Sequence, residues 1–100
     1  MRLPPPRVVA VDVDGTLLTH GIPNLELISW LRRKKSEGFE LMLWSQRGKH
    51  YAAHACSHCG LDGLFDVICS KPGYLVDDRG WSWILETEVV TSLIDMTGKA

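Results

Sequence analysis

The sequence predicts an α/β domain with a mostly parallel sheet, and three observations carry that expectation. Residues 7–13, Arg-Val-Val-Ala-Val-Asp-Val, form the kind of β-branched run found in a strand buried on both faces. Residues 24–38 repeat Leu25, Ile28 and Leu31 at helical spacing, between an asparagine suited to an N-cap and a glycine suited to a C-terminal stop. Further on, short apolar runs alternate with a second helical segment, which is the signature of parallel strands joined by crossovers.

The first strand ends at Asp14-Gly15-Thr16, where Gly15 permits a sharp turn. Residues 17–23 read as a loop closed by Pro23. In the helix that follows, Glu26 lies early and Arg32, Arg33, Lys34 and Lys35 lie late, a polarity that complements the helix dipole. That basic run reads as a solvated face. Residues 39–44 form a second strand ending at Ser45. Gly48 opens a helix over 49–59, and Gly60 stops it. Residues 64–69 give a third strand, and Tyr74-Leu75-Val76 a very short fourth ending at Asp77-Asp78. Beyond Gly80, residues 88–90 read as a short strand and 91–97 as a terminal helix. Trp81 and Trp83 read as packing residues or part of a subunit interface, so a homo-oligomer is an open possibility.

At 100 residues, the expectation is a single domain over 1–100. A formal net charge of −1 gives no support to a protein whose affinity rests on phosphate-backbone contacts, although one nucleic-acid end could still enter an active site. Residues 1–6 lack the apolar core of a signal peptide, and no apolar run approaches the roughly 20 residues that span a bilayer. No membrane partner is expected. Cys56, Cys59 and Cys69 are odd in number and two of them fall in a predicted helix, so no disulfide framework is expected and the cytoplasm is the natural compartment.

Chemistry concentrates at strand ends. Asp12 and Asp14 follow the first strand, Ser45 the second, and Asp77 and Asp78 the fourth, with Lys71 just before it. In an open α/β sheet the carboxyl ends of parallel strands share one edge, where ligands bind. Four carboxylates cannot gather unpaired, because like charges oppose each other's ionisation. A hard cation resolves the conflict, and an all-oxygen ligand set favours Mg²⁺. Ser45 offers a hydroxyl, and Gln46, Arg47 and Gly48 offer backbone N–H groups at a helix start, a ready anion site. Lys71 adds a positive charge. The pocket expected from these groups takes a phosphoryl group. One carboxylate can attack phosphorus while its neighbour protonates the leaving oxygen.

Asp12-Val13-Asp14-Gly15-Thr16-Leu17, preceded by an apolar strand, resembles the first motif of the haloacid dehalogenase superfamily in its phosphatase form. Ser45 after Leu41-Met42-Leu43-Trp44 is similar to the second motif, Lys71 to the third, and Val76-Asp77-Asp78-Arg79 to the fourth. The resemblance covers residues 7–79 with the motifs in order. It implies a minimal Rossmann-like three-layer domain, with the first strand central between the second and fourth. It also implies Asp12 as nucleophile and magnesium ligand, and Asp14 as acid/base with its carbonyl on the metal. Ser45 and Lys71 would bind the phosphoryl group. Asp78 would be a direct ligand, with Asp77 assisting directly or through water. Neither interval between motifs has room for an inserted cap domain, so a capless hydrolase is expected. Its site would be open, and the substrate large (a protein side chain or a polynucleotide end) unless another subunit closes it.

Other readings stay beside this one. A nucleotide or polynucleotide-end phosphatase is suggested by the open site and by Ser45-Gln46-Arg47-Gly48. A non-catalytic domain that binds magnesium and phosphate would keep the pocket without turnover. His50, His54 and His58 are spaced for zinc, but Tyr51, Ala52, Ala55, Cys56 and Cys59 form the apolar face of that helix, which turns the histidines toward water. His20, just after the first motif, could touch substrate or be a plain loop residue. Arg47 and Arg79 could meet a substrate anion or pair with the acidic cluster.

Overall fold

The protein is described here by a computed structural model covering Pro4 and residues 6–94. Its elements are β1 (Val8–Asp12), β2 (Leu18–Thr19), β3 (Ile22–Pro23), α1 (Leu25–Ser36), β4 (Glu40–Ser45), α2 (Lys49–His58), β5 (Val67–Ser70) and a 3-10 helix over Gly80–Glu86. β1, β4 and β5 form one parallel sheet in that order, with Val11 beside Leu43 and Leu43 beside Ile68. The expected α/β class with a parallel sheet is what these residues form.

Each helix begins and ends where the local chemistry directs. The Asn24 side chain accepts a hydrogen bond from the Leu27 amide at 3.1 Å, capping α1. The chain leaves α1 through Gly38 and α2 through Gly60, both at positive φ. Phe39 then turns back toward the sheet, its ring lying beneath the Arg7 guanidinium at 4.5 Å.

One hydrophobic cluster holds the domain together. Leu27, Ile28 and Leu31 of α1 and Ala52, Ala55 and Cys56 of α2 join Val11, Leu41 and Leu43 of the sheet, with Val13, Leu17, Leu61, Leu64 and Phe65 from the connections. Both helices therefore cover the same face. The cause is topological: two successive right-handed crossovers that step in one direction must lie on one side of the sheet. Period-two alternation puts Val8, Ala10, Met42, Trp44, Val67 and Cys69 on the other face, where Val8 and Val67 are each 45% exposed.

Five expectations need correction. α1, α2 and the sheet make two layers, not three, because both α-helices cover the same face. β1 is an edge strand rather than a central one. Tyr74-Leu75-Val76 is not a strand: Tyr74 and Val76 are 95% and 99% exposed, so three residues after Pro72-Gly73 gain neither a pairing partner nor burial. Residues 17–23 are not plain loop but carry the hairpin β2–β3, whose two-residue turn has positive φ at both His20 and Gly21. Residues 88–90 form no strand, and 91–94 include a turn. The rest of the expected terminal helix lies outside the described residues. No described helix is long and apolar enough to cross a membrane.

Candidate active site at the carboxyl edge of the sheet

Asp12 is the last residue of β1 and Asp14 lies two residues on, after the buried Val13. The turn between them is held by backbone bonds from Thr16 and Leu18 to the Val13 carbonyl and from Leu17 to the Asp12 carbonyl. The Thr16 hydroxyl lies 3.5 Å from Asp12 Oδ2. Asn24 closes this turn from outside, donating from Nδ2 to the Thr16 carbonyl at 3.2 Å and to the Leu93 carbonyl at 2.5 Å.

Ser45 ends β4 and is the one buried polar side chain among the described residues. Its hydroxyl accepts from the Arg47 amide at 3.0 Å, and its carbonyl accepts from the amides of Gly48 and Lys71. Ser45 thus ties the start of α2 to the end of β5. Ser70 repeats the device, its hydroxyl accepting from the Lys49 amide at 2.8 Å. Of the Gln46, Arg47 and Gly48 amides that the sequence offers as an anion cradle, Ser45 thus occupies two, Arg47 with its hydroxyl and Gly48 with its carbonyl. Gln46 and Arg47 are exposed.

Lys71 reaches across the strand ends and sets its Nζ 3.2 Å from Asp12 Oδ1, with the Trp44 ring 5.8 Å below. Both partners remain about one-third exposed. Asp14 is 51% exposed and has its own partners. The Tyr51 hydroxyl donates to Oδ1 at 2.5 Å, and Arg47 Nη1 stands 3.6 Å from Oδ2 while its guanidinium stacks on the Tyr51 ring at 3.9 Å. The bond to Asp14 is the main reason that the Tyr51 phenol is pushed above its ordinary range, with burial adding to it. Reading Tyr51 only as part of the apolar face missed this contact. The signal available was its place in the first turn of α2, four residues after Arg47 and at the same sheet edge.

Asp12, Asp14, Ser45 and Lys71 therefore meet at one edge, as their strand positions predict. Asp77 and Asp78 do not join them in a ligand cluster. Both are exposed, and Asp77 Oδ1 accepts from the Arg79 amide in a turn that opens the 3-10 helix. Arg79 in turn pairs with Glu86 at 3.2 Å. Among the described residues no group of three or more His, Cys, Asp or Glu side chains is arranged to hold a metal ion. The Asp12 carboxylate, with the Asp14 backbone carbonyl, still suits magnesium by chemistry, since that ion takes one or two carboxylates and keeps several waters.

The remaining candidates separate from this edge. His20, His50, His54 and His58 are exposed. Cys56 is buried and Cys59 half-buried, and burial raises both thiols above the ordinary cysteine range. A cavity of about 250 Å³ lined by Arg32, Lys35, Asp62 and Leu64 lies at the opposite end of the strands. Beside it Lys35 donates to the Leu64 carbonyl at 2.7 Å and faces Asp66 at 3.6 Å.

No family model matches the chain, and no solved structure matches it. It is similar to an uncharacterized 38.0 kDa protein in the P143-LEF5 intergenic region of Autographa californica nuclear polyhedrosis virus, 31% identical over 78 residues. The match takes in 74% of this chain and 24% of the viral protein. The chain spans about a quarter of the length of that relative.

Proposed function

We propose that the protein is a magnesium-dependent phosphohydrolase that cleaves phosphomonoesters through an aspartyl-phosphate on Asp12. The observation that carries this reading is the contact between Lys71 and Asp12 at the carboxyl edge of the sheet, 3.2 Å apart and next to Asp14 and Ser45. The motif order that resembles the haloacid dehalogenase superfamily supports it independently.

The roles follow from position. Asp12 Oδ would attack phosphorus in line with the ester oxygen. As that P–O bond breaks, Asp14 in its acid form would give its proton to the leaving oxygen, leaving an alcohol and an acyl phosphate. Asp14, now a carboxylate, would take a proton from the water that attacks phosphorus next. Breaking the acyl-phosphate P–O bond then returns the Asp12 carboxylate and releases phosphate. Lys71 would neutralise charge on the phosphoryl oxygens, the main resource for such transfers. Ser45 would serve by fixing the Arg47 amide and the Lys71 backbone. The Asp12 carboxylate and the Asp14 backbone carbonyl would hold Mg²⁺, which supplies further charge neutralisation when bound. Partly exposed carboxylates at the end of an edge strand suit a large phosphorylated substrate, a protein side chain or a polynucleotide end.

The test is hydrolysis of p-nitrophenyl phosphate with and without Mg²⁺, in the wild type, Asp12→Asn and Asp14→Asn. Magnesium-dependent turnover lost in both variants is the expected result. Turnover that survives Asp12→Asn would remove Asp12 as nucleophile. A folded wild type that binds magnesium and hydrolyses neither p-nitrophenyl phosphate nor phosphorylated peptides or oligonucleotides would overturn the enzymatic reading in favour of a binding domain.

A further inference from the structure

Resting on the phosphatase reading, we propose that Tyr51 is a positioning residue that fixes the Asp14 carboxyl group for proton transfer, with Arg47 clamping the tyrosine ring. Asp14 needs such a device. It lies beyond the end of β1 on a turn and is half exposed, so its side chain would otherwise rotate freely in water. Proton transfer requires the acid within about 3 Å of the leaving oxygen, and small misplacements are expensive in rate.

Tyr51 is built for the task. Its ring packs against the hydrophobic cluster, so the fold and not Asp14 sets its position. Arg47 covers the outer face of the ring at 3.9 Å. The hydroxyl is then delivered to Asp14 Oδ1 at 2.5 Å. A phenol donates to this oxygen whether Asp14 is a carboxylate or a carboxylic acid, so it holds the group without competing for the transferred proton. With Oδ1 engaged, Oδ2 is the oxygen that carries that proton. Arg47 Nη1, 3.6 Å from Oδ2, stands beyond hydrogen-bond reach and leaves it open to the leaving group. In the first half-reaction the proton moves from Oδ2 to the ester oxygen as the P–O bond breaks and the Asp12–phosphorus bond forms. Tyr51 keeps its own proton throughout.

The experiment exploits the leaving group. p-Nitrophenolate departs with little need of a proton, whereas phenolate needs one. Tyr51→Phe keeps the ring under Arg47 and removes only the hydroxyl. Its kcat/KM, which reports phosphoryl transfer to Asp12 and not the later hydrolysis in which Asp14 acts as base, is expected to fall about 10-fold on phenyl phosphate and less than about twofold on p-nitrophenyl phosphate, since general acid–base catalysis is worth about 10²–10⁴ in total and only its alignment is lost. Magnesium affinity by calorimetry should stay at the wild-type value, and the thermal midpoint should fall by no more than the loss of one hydrogen bond allows. Arg47→Ala should shift the two substrates in the same sense by a smaller factor. An equal loss of kcat/KM on both substrates, or weakened magnesium binding, overturns the role for Tyr51. Absence of wild-type turnover on both substrates defeats the phosphatase reading itself, and this inference with it.

Discussion

Asn24 does three jobs with one amide, and removing them separately is a sharp test of how the site turn is held. Its Oδ1 caps α1 at the Leu27 amide, while its Nδ2 donates to the carbonyls of Thr16 and Leu93. A lost N-cap costs about 1 kcal/mol. Each side-chain hydrogen bond is worth roughly 0.5–1.5 kcal/mol net. Asn24→Ala should therefore destabilise the domain by about 2–3 kcal/mol, the two donor bonds sharing one nitrogen. For a domain of this size that corresponds to about 10–20 °C in Tm. Asn24→Asp keeps the cap acceptor and improves the charge at the helix start by about 0.3–1 kcal/mol. It also replaces a donor with a carboxylate facing two carbonyls, so a net loss of about 1–2 kcal/mol is expected. Urea unfolding followed by tryptophan fluorescence gives both values. An aspartate variant as stable as wild type, or an alanine variant losing under about 0.5 kcal/mol, refutes the idea that this amide pins the turn.

Two further outcomes follow from contacts already described. The Tyr51 phenol is raised chiefly by Asp14, so alkaline titration of the metal-free protein should show a phenol ionising above the ordinary value of about 10, and Asp14→Asn should reduce the elevation. Because the folded value lies above the unfolded one, this stabilisation is fully present below about pH 10 and is lost as pH rises through the folded value; urea midpoints on either side of that window check the sign. His20 occupies a left-handed position, φ 52°, in a turn where Asn-Gly is the favoured pair. His20→Asn should stabilise the domain by about 0.5 kcal/mol, and a lowered urea midpoint would contradict the turn assignment.

Much of the fold is legible because its signals are local. The β-branched run before Asp12, the capped repeat that includes Ile28 and Leu31, and the apolar run ending at Ser45 each report burial on a regular period, and the structure buries Val11, Ile28, Leu31, Leu41 and Leu43, while Leu25 is 75% exposed and β1 is buried on one face only. The meeting of Asp12, Ser45 and Lys71 follows from strand direction alone. The failures involve partners. Whether Tyr74-Leu75-Val76 pairs with β1 depends on a contact that no three-residue pattern encodes, and with that strand unpaired Asp77 and Asp78 lie in an exposed turn. The β2–β3 hairpin has two residues per strand, too few for any periodicity. Tyr51 was hidden by its chemistry: a tyrosine on an apolar helix face is both a core residue and a hydrogen-bond donor, and only geometry reveals that its hydroxyl reaches Asp14.

Spatial order in the main sheet repeats chain order, β1 then β4 then β5, and that has a bearing on how the molecule is made. No strand of this sheet must insert between two others already in place. A chain emerging from its N-terminus can close β1, α1 and β4 as one crossover unit before α2 and β5 exist, then extend the sheet along its growing side. Asp12 and Asp14 are in that first unit, whereas Tyr51 and Lys71 arrive only with the second. During synthesis the two carboxylates would thus stand side by side without their protein counter-groups, and the local charge balance of the edge would mature only with the second crossover.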